Sequence, residues 1–274
     1  MPKVLISDSM SNVAQKIFEK NNITVDVKTG LSEEEIIKII PEYDGMVVRS
    51  ATKVTKNIIE AAKNLKVIGR AGAGVDNIDV PIAKEKNMIV MNTPGGNANA
   101  TAEHAFALIM SVLRRVPFAN ETTHKGQWEK KNIKGTELSK KTLGIIGLGA
   151  IGSLVARAAR NLGMQIIGYD PYISIESAWK LSSEVKKAES IDQLLKKSDY
   201  ISLHVPLVED TKALINSELI KNFKKGAKLI NLSRGGIVDD LSVISALDQG
   251  AVSYTHLRAH ETSLHLVCRL LLEK

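Results

Sequence analysis

The run Gly147-Leu148-Gly149-Ala150-Ile151-Gly152 follows the strand-like residues 142–146 at once and opens an amphipathic stretch over 151–162. Glycines in the pattern GxGxxG between a strand and a helix form a cradle for the pyrophosphate of a dinucleotide. The chemistry is electrostatic: a helix N-terminus offers unpaired N–H groups and the positive end of its dipole to phosphate oxygens. Gly147 permits the tight turn, Gly149 lets the backbone approach the pyrophosphate, and Gly152 lets the helix pack close to the sheet, with Ala150 and Ile151 in the first helical turn between them. A second strand-like segment, 165–169, ends at Asp170, eighteen positions past Gly152. That is near the spacing of about 20 at which a carboxylate accepts hydrogen bonds from the adenosine ribose. The same charge repels a 2′-phosphate, so the pattern favours NAD over NADP.

Such a site needs a sheet to carry it. Beyond residue 142, strand-like segments at 143–146, 165–169, 200–204 and 228–232 alternate with helix-like ones at 151–162, 191–196, 217–223 and 241–248. Before it, strand-like segments at 4–6, 23–27, 45–49, 66–70 and 88–91 alternate with helix-like ones at 13–19, 33–40, 56–63 and 80–85. Ser32 with Glu35 three positions on is a capping box, Pro41 stops the helix it opens, and Thr55 caps the next. Strands alternating with helices predict parallel sheets covered on both faces. The expected architecture is therefore α/β: two doubly wound, parallel-sheet, Rossmann-like domains over 1–98 and 99–250. An apolar helix over 100–116, ended by Pro117, is expected to link them, with 116–142 polar and irregular.

Bulk composition agrees with that class and excludes others. The 274 residues suffice for about two domains. Residues are 44% hydrophobic but only 4% aromatic, so the cores must be aliphatic, as parallel strands are. The net charge of +7 is spread over lysine pairs in polar stretches, the mark of a solvated surface. No helix-turn-helix, aromatic platform or zinc spacing argues for nucleic acid. No apolar stretch approaches the roughly 18 residues that span a bilayer, and the N-terminus reads directly into a strand without a signal peptide. The single cysteine, Cys268, allows no intrachain disulfide, which fits a reducing compartment. The expectation is a cytoplasmic protein without membrane or nucleic-acid partners and without a metal.

Seven ordered stretches carry a family resemblance: RSATKVT (49–55), GRAGAGVDNID (69–79), MNTPGGNANATAEHA (91–105), KTLGIIGLGAIG (141–152), IGYDP (167–171), HVPL (204–207) with Thr211 after it, and NLSRGGIVDD (231–240). Over residues 1–250 the chain resembles the D-2-hydroxyacid dehydrogenases, and its early loops are most similar to the members that oxidise 3-phosphoglycerate with NAD on the route to serine. The resemblance implies a flavodoxin-like substrate domain followed by an NAD-binding domain. It implies that Arg49 and Ser50 contact a substrate phosphate, where a bidentate guanidinium suits the geometry. The backbone of Ala73, Gly74 and Val75 would hold the substrate carboxylate, since concave runs of N–H groups bind anions without side chains. Asn97 would also face the substrate. Val205, Pro206 and Thr211 would border the nicotinamide, and Ser233 would join the coenzyme contacts. Arg234, placed after a buried strand at the carboxyl edge of the sheet where ligands bind, is the expected catalytic residue. Its positive charge can orient the substrate carboxylate and polarise the carbonyl during hydride transfer. The implied ligand is a small phosphorylated 2-hydroxy or 2-keto acid, and the implied assembly a homodimer or homotetramer, with the apolar helix 105–113 and the segment holding Trp128 at the interface.

The resemblance stops near residue 250. In the family a glutamate and a histidine downstream of the arginine handle the proton, after a Gly- and Ala-rich strand. Residues 251–274 match none of this and are expected to be a tail unrelated to the family, leaving the coenzyme domain without its last strands and the chain impaired. His256 and His260 have metal-ligand spacing, but no further ligands accompany them, and neither they nor His265 or Glu261 are taken as the catalytic pair. Two alternatives stand beside the 3-phosphoglycerate reading: a glyoxylate or hydroxypyruvate reductase of the same fold, and a catalytically silent NAD-binding regulator.

Overall fold

The computed structural model describes residues 1–250 and 252–256. They form two compact units, Met1–Asn97 and a second from Ala98 onward. The first runs β1 (Lys3–Ile6), α1 (Asn12–Lys20), β2 (Thr24–Val27), α2 (Glu33–Ile39), a 3₁₀ turn (Ile40–Glu42), β3 (Gly45–Val48), α3 (Lys56–Ala61), β4 (Val67–Arg70), α4 (Val80–Glu85) and β5 (Ile89–Met91). Its five strands are all parallel, in the order β2-β1-β3-β4-β5, which is the flavodoxin-type order.

Local chemistry sets these boundaries. At the start of α2, Ser32 Oγ accepts from the Glu35 N–H at 3.3 Å and the Glu35 carboxylate accepts from the Ser32 N–H at 2.8 Å, so the capping box satisfies two otherwise orphaned donors. Thr55 and Asp79 cap α3 and α4 more simply, each side chain accepting from one N–H, of Ile58 and Ile82 respectively. Leu5, Met46, Val48 and Ile68 from the strands pack with Ile36, Ile40, Ile58, Ile59 and Ala83 from the helices as one aliphatic core.

The second unit runs α5 (Ala98–Leu113), α6 (Val116–His124), β6 (Thr142–Ile146), α7 (Ala150–Asn161), β7 (Gln165–Tyr169), α8 (Ile175–Lys180), β8 (Val185–Lys187), α9 (Ile191–Lys197), β9 (Tyr200–Leu203), a 3₁₀ turn (Glu209–Thr211), α10 (Ser217–Ile220), β10 (Ala227–Asn231), α11 (Asp240–Asp248) and β11 (Val252–His256). Its sheet is parallel throughout, in the order β11-β10-β9-β6-β7-β8. Counted within the unit this is 3-2-1-4-5-6, the dinucleotide-binding order, and chain direction across the sheet reverses between β6 and β9. Ile146, Ile201, Leu203 and Leu229 build the core on one face, and Leu143, Ile145, Ile166 and Ile230 build it on the other, against α5 and α7.

Three features depart from the sequence expectations. Pro117 opens a helix instead of ending one: α5 stops at Leu113, Arg115 takes a left-handed backbone (φ 52°), and α6 begins with the proline in its first turn. A first-turn N–H is orphaned anyway, so its absence in proline costs nothing there. The helix α8 and the strand β8 form between residues 170 and 190, where the sequence predicts no element. The third concerns the expected end of the fold at residue 250. There β11 continues the sheet beyond β10, with Ala227 opposite Val252 and, past a register shift, Ile230 opposite His256. Parallel pairing is made by the backbone and tolerates any strand-forming residue type, so a stretch that lacks the expected glycines and alanines still forms the sixth strand. Glu261, His260, His265 and Cys268 lie outside the described residues. Among those described, no group of three His, Cys, Asp or Glu is placed to hold a metal ion, and no helix is long and apolar enough to cross a membrane.

Candidate active site

The glycine turn sits at the carboxyl end of β6, beside the point where strand order reverses. Gly147 has φ +92°, and a Cβ there would meet the His204 carbonyl oxygen at 2.6 Å and Val205 Cγ1 at 2.9 Å. Only glycine accepts both that backbone and that approach. A Cβ on Gly152 would overlap the carbonyl oxygen of Gly147 itself, so the third glycine lets α7 close onto the turn. Gly149 is different. It is the N-cap of α7, no side chain caps the helix, and nothing lies within 4 Å of where its Cβ would be. Among the described residues no acceptor takes the N–H groups of Gly149, Ala150 or Ile151. Open space in front of unpaired amides at a positive helix end fits a diphosphate.

Asp170 lies at the end of β7, against this turn. Its Oδ2 accepts from the Leu148 N–H at 2.8 Å and its Oδ1 from the Tyr172 N–H at 3.0 Å. Each oxygen keeps lone-pair capacity for a further donor, such as a ribose hydroxyl. The residues therefore fit NAD: amides for the diphosphate and a carboxylate for the sugar.

Strand register brings the remaining candidates of this unit to the same edge. Ile146 pairs with Leu203, and Leu203 with Asn231, so Gly147, His204 and Leu232 follow side by side. The Thr211 hydroxyl donates to the Pro206 carbonyl at 2.6 Å and accepts from the Val208 N–H at 2.9 Å. It shapes the loop after β9 from within. At the end of β10, buried Asn231 accepts from the Ser233 N–H and hydroxyl at 3.0 and 2.7 Å and donates to the Arg234 carbonyl at 2.8 Å. Arg234 is half-buried in the loop that Asn231 holds, with its guanidinium also on the Ser233 carbonyl at 2.9 Å.

His204 closes β9, with Nε2 2.9 Å from the hydroxyl of buried Ser202. Burial pushes its imidazole down to about 4. The unfolded imidazole takes up a proton near 6.5, so between about pH 6.5 and 4 the unfolded chain binds more protons and stability falls as pH falls. From pH 7 to 5 this costs about 2 kcal/mol. Urea unfolding of the wild type and of His204→Gln over that range checks it. The expected result is a shallower acid loss in the variant, and parallel curves would refute it.

In the first unit the loops after β3 and β4 lie at one sheet edge, because Val48 pairs with Arg70. Arg49 and Ser50 are exposed. The Arg49 N–H donates to buried Asp8 at 2.6 Å, and Asp8 also accepts from the Thr52 N–H and from the Thr52 hydroxyl at 2.7 Å. Two carbonyls of the loop after β4 are taken: Asn92, just past β5, donates to that of Ala73 at 2.6 Å, and Arg70, the last residue of β4, to that of Gly74. Among the described residues no acceptor takes the N–H groups of Ala73, Gly74 or Val75. Asn97 is exposed at the end of this unit. Asp8, Asn231 and Arg70 were not singled out by sequence reasoning. Asp8 follows the end of β1, Asn231 is the last residue of β10 and Arg70 the last of β4.

Residues 106–262 match the family model described as D-isomer specific 2-hydroxyacid dehydrogenase, NAD binding domain. The chain belongs to this family. The match extends to residue 262. The chain is 48% identical over 252 residues to D-3-phosphoglycerate dehydrogenase of Synechocystis, covering 92% of this chain and 45% of that protein. It is 43% identical to the Archaeoglobus fulgidus enzyme of the same name, covering 94% and 49%. The chain thus spans about half the length of the curated relatives it matches. Among solved structures, the NAD-bound 3-phosphoglycerate dehydrogenase of Entamoeba histolytica superposes with a TM-score of 0.81 at 31% identity, over 98% of this chain and 84% of that one. D-lactate dehydrogenase of Aquifex aeolicus, complexed with NAD and lactic acid, gives 0.83 at 28% identity, over 97% and 79%. The second unit is this family's NAD-binding domain.

Proposed function

We propose that the chain binds 3-phosphoglycerate and NAD and belongs to an enzyme that oxidises the C2 hydroxyl, the step that commits 3-phosphoglycerate to serine. The observation that carries this is the pair of anion-binding elements in the first unit. Unpaired amides at Ala73–Val75 adjoin a loop presenting Arg49 and Ser50, which suits a short acid with a carboxylate at one end and a phosphate at the other. The relatives named D-3-phosphoglycerate dehydrogenase support the same substrate. Bound NAD supplies the hydride acceptor. Gly149–Ile151 bind its diphosphate, Asp170 its adenosine ribose, and Val205, Pro206, Thr211 and Ser233 border it. Asn97 assists in holding the substrate. Arg234 holds the substrate carboxylate and stabilises negative charge on the C2 oxygen.

A proton must also leave that hydroxyl, and a guanidinium does not accept it. The His124 imidazole bonds the Asn120 carbonyl and that of His204 bonds Ser202, neither of them a carboxylate. Residues 251–274 do not carry the glutamate and histidine pattern that the family resemblance implies, and on that ground slow turnover is expected. Calorimetry with NAD, then with 3-phosphoglycerate, D-glycerate and glyoxylate in its presence, tests the binding. Preference for 3-phosphoglycerate is expected, and equal or better binding of D-glycerate would refute the phosphate site. Robust NADH formation would refute the expectation of slow turnover. Whatever rate the chain shows, Arg234→Gln is expected to lower it about 100-fold with NAD affinity unchanged.

A further inference from the structure

The two anion-binding loops of the first unit come from different strands and are joined by one side chain. Arg70, the last residue of β4, donates Nε to the Arg49 carbonyl at 3.1 Å and Nη1 to the Gly74 carbonyl. Its path crosses Gly72, where a Cβ would lie 2.9 Å from Nη1 and 3.2 Å from Cζ. Asn77 adds a second tie. Its Nδ2 donates to the same Arg49 carbonyl at 2.8 Å and to the Thr52 carbonyl at 2.6 Å, and two carbonyl partners fix which way the amide is turned. Together with Asn92 on the Ala73 carbonyl, these donors take up the carbonyls of 49, 52, 73 and 74. The N–H groups of Ala73, Gly74 and Val75, beside these occupied carbonyls, have no acceptor among the described residues.

We infer that Arg70, with Asn77, is a positioning residue that clamps the Arg49–Ser50 loop to the Ala73–Val75 loop, so that both ends of a doubly anionic substrate meet preformed sites. A guanidinium is suited to this because its rigid fork reaches two carbonyls at once. A lysine ammonium carries its three N–H donors on one nitrogen and lacks the spread of Nε and Nη1 that spans the two carbonyls. Loops held in advance spare the ligand the cost of ordering them. The inference deepens the substrate reading above and rests on it for the identity of the ligand, but the clamp itself can be tested without any ligand.

The test uses the whole chain with Arg70→Lys and Asn77→Ala. In ligand-free protein, amide hydrogen exchange of residues 49–52 and 71–77 is expected to quicken in Arg70→Lys, while exchange in β6 and α7 stays as in the wild type. Unchanged exchange in both loops overturns the clamp. Calorimetry with 3-phosphoglycerate is expected to show binding weakened at least about tenfold in Arg70→Lys and less in Asn77→Ala, with NAD affinity unaltered. If 3-phosphoglycerate binds Arg70→Lys as it binds the wild type, the positioning role is wrong. A wild type that exchanges as expected but binds no 3-phosphoglycerate would overturn the substrate reading and leave the clamp standing.

Discussion

Gly149→Ala is expected to fold as the wild type does and to lose most of its affinity for NAD. The backbone at Gly149 (φ −69°, ψ −161°) is open to any residue, and a methyl group there touches nothing within 4 Å. Exchanging one uncharged N-cap for another costs at most about 1 kcal/mol. The methyl instead occupies the space a diphosphate needs to reach the amides of the first turn of α7. Forcing one methyl into a close contact costs about 1–3 kcal/mol, so affinity is expected to fall about 10- to 100-fold. Gly152→Ala provides the contrast, because its methyl strikes the Gly147 carbonyl and the backbone must move. Stability is then expected to drop by about 3 kcal/mol, and coenzyme binding with it. Thermal melts beside NAD calorimetry separate the two variants. Wild-type affinity in a stable Gly149→Ala protein would mean the cradle is not where the coenzyme sits.

Asp170→Ala is expected to weaken NAD about 100-fold, the worth of one or two hydrogen bonds to a charged acceptor. The variant loses more than a ribose contact. Leu148 and Tyr172 each lose the acceptor of their backbone N–H, so the glycine turn loosens and stability falls by about 1–3 kcal/mol. Removing the carboxylate also removes its repulsion of a 2′-phosphate, so the ratio of NAD to NADP affinity is expected to fall. Titrating both coenzymes against both proteins checks this. A ratio unchanged by the substitution would show that Asp170 serves the turn alone.

The double role of Asp170 illustrates what could be read from the chain and what could not. The glycine pattern and the carboxylate after the next strand are legible because their spacing is imposed by one strand–turn–helix–strand unit. That the carboxylate grips the turn itself is not, because the bond joins residues 22 apart in sequence. Thr211 was legible as a loop residue near the coenzyme edge, yet its hydroxyl is engaged inside that loop. Asp8 escaped notice since it organises a loop 41 to 44 residues away, and an Asp after a strand looks like any turn residue. The strand β11 was missed for the opposite reason. Its side chains resemble nothing expected there, while the pairing that places it is made by the backbone.

By itself the sequence determined two α/β units, their aliphatic cores, the helix caps and the pyrophosphate turn, because periodicity, capping and glycine's backbone freedom act over a few neighbouring residues. Only the tertiary structure decided which loops share a sheet edge, which carbonyls are tied down by Arg70, Asn77, Asn92 and Asn231, and so which N–H groups remain for a ligand. Those outcomes depend on strand order, and strand order is settled by packing between segments far apart in the chain.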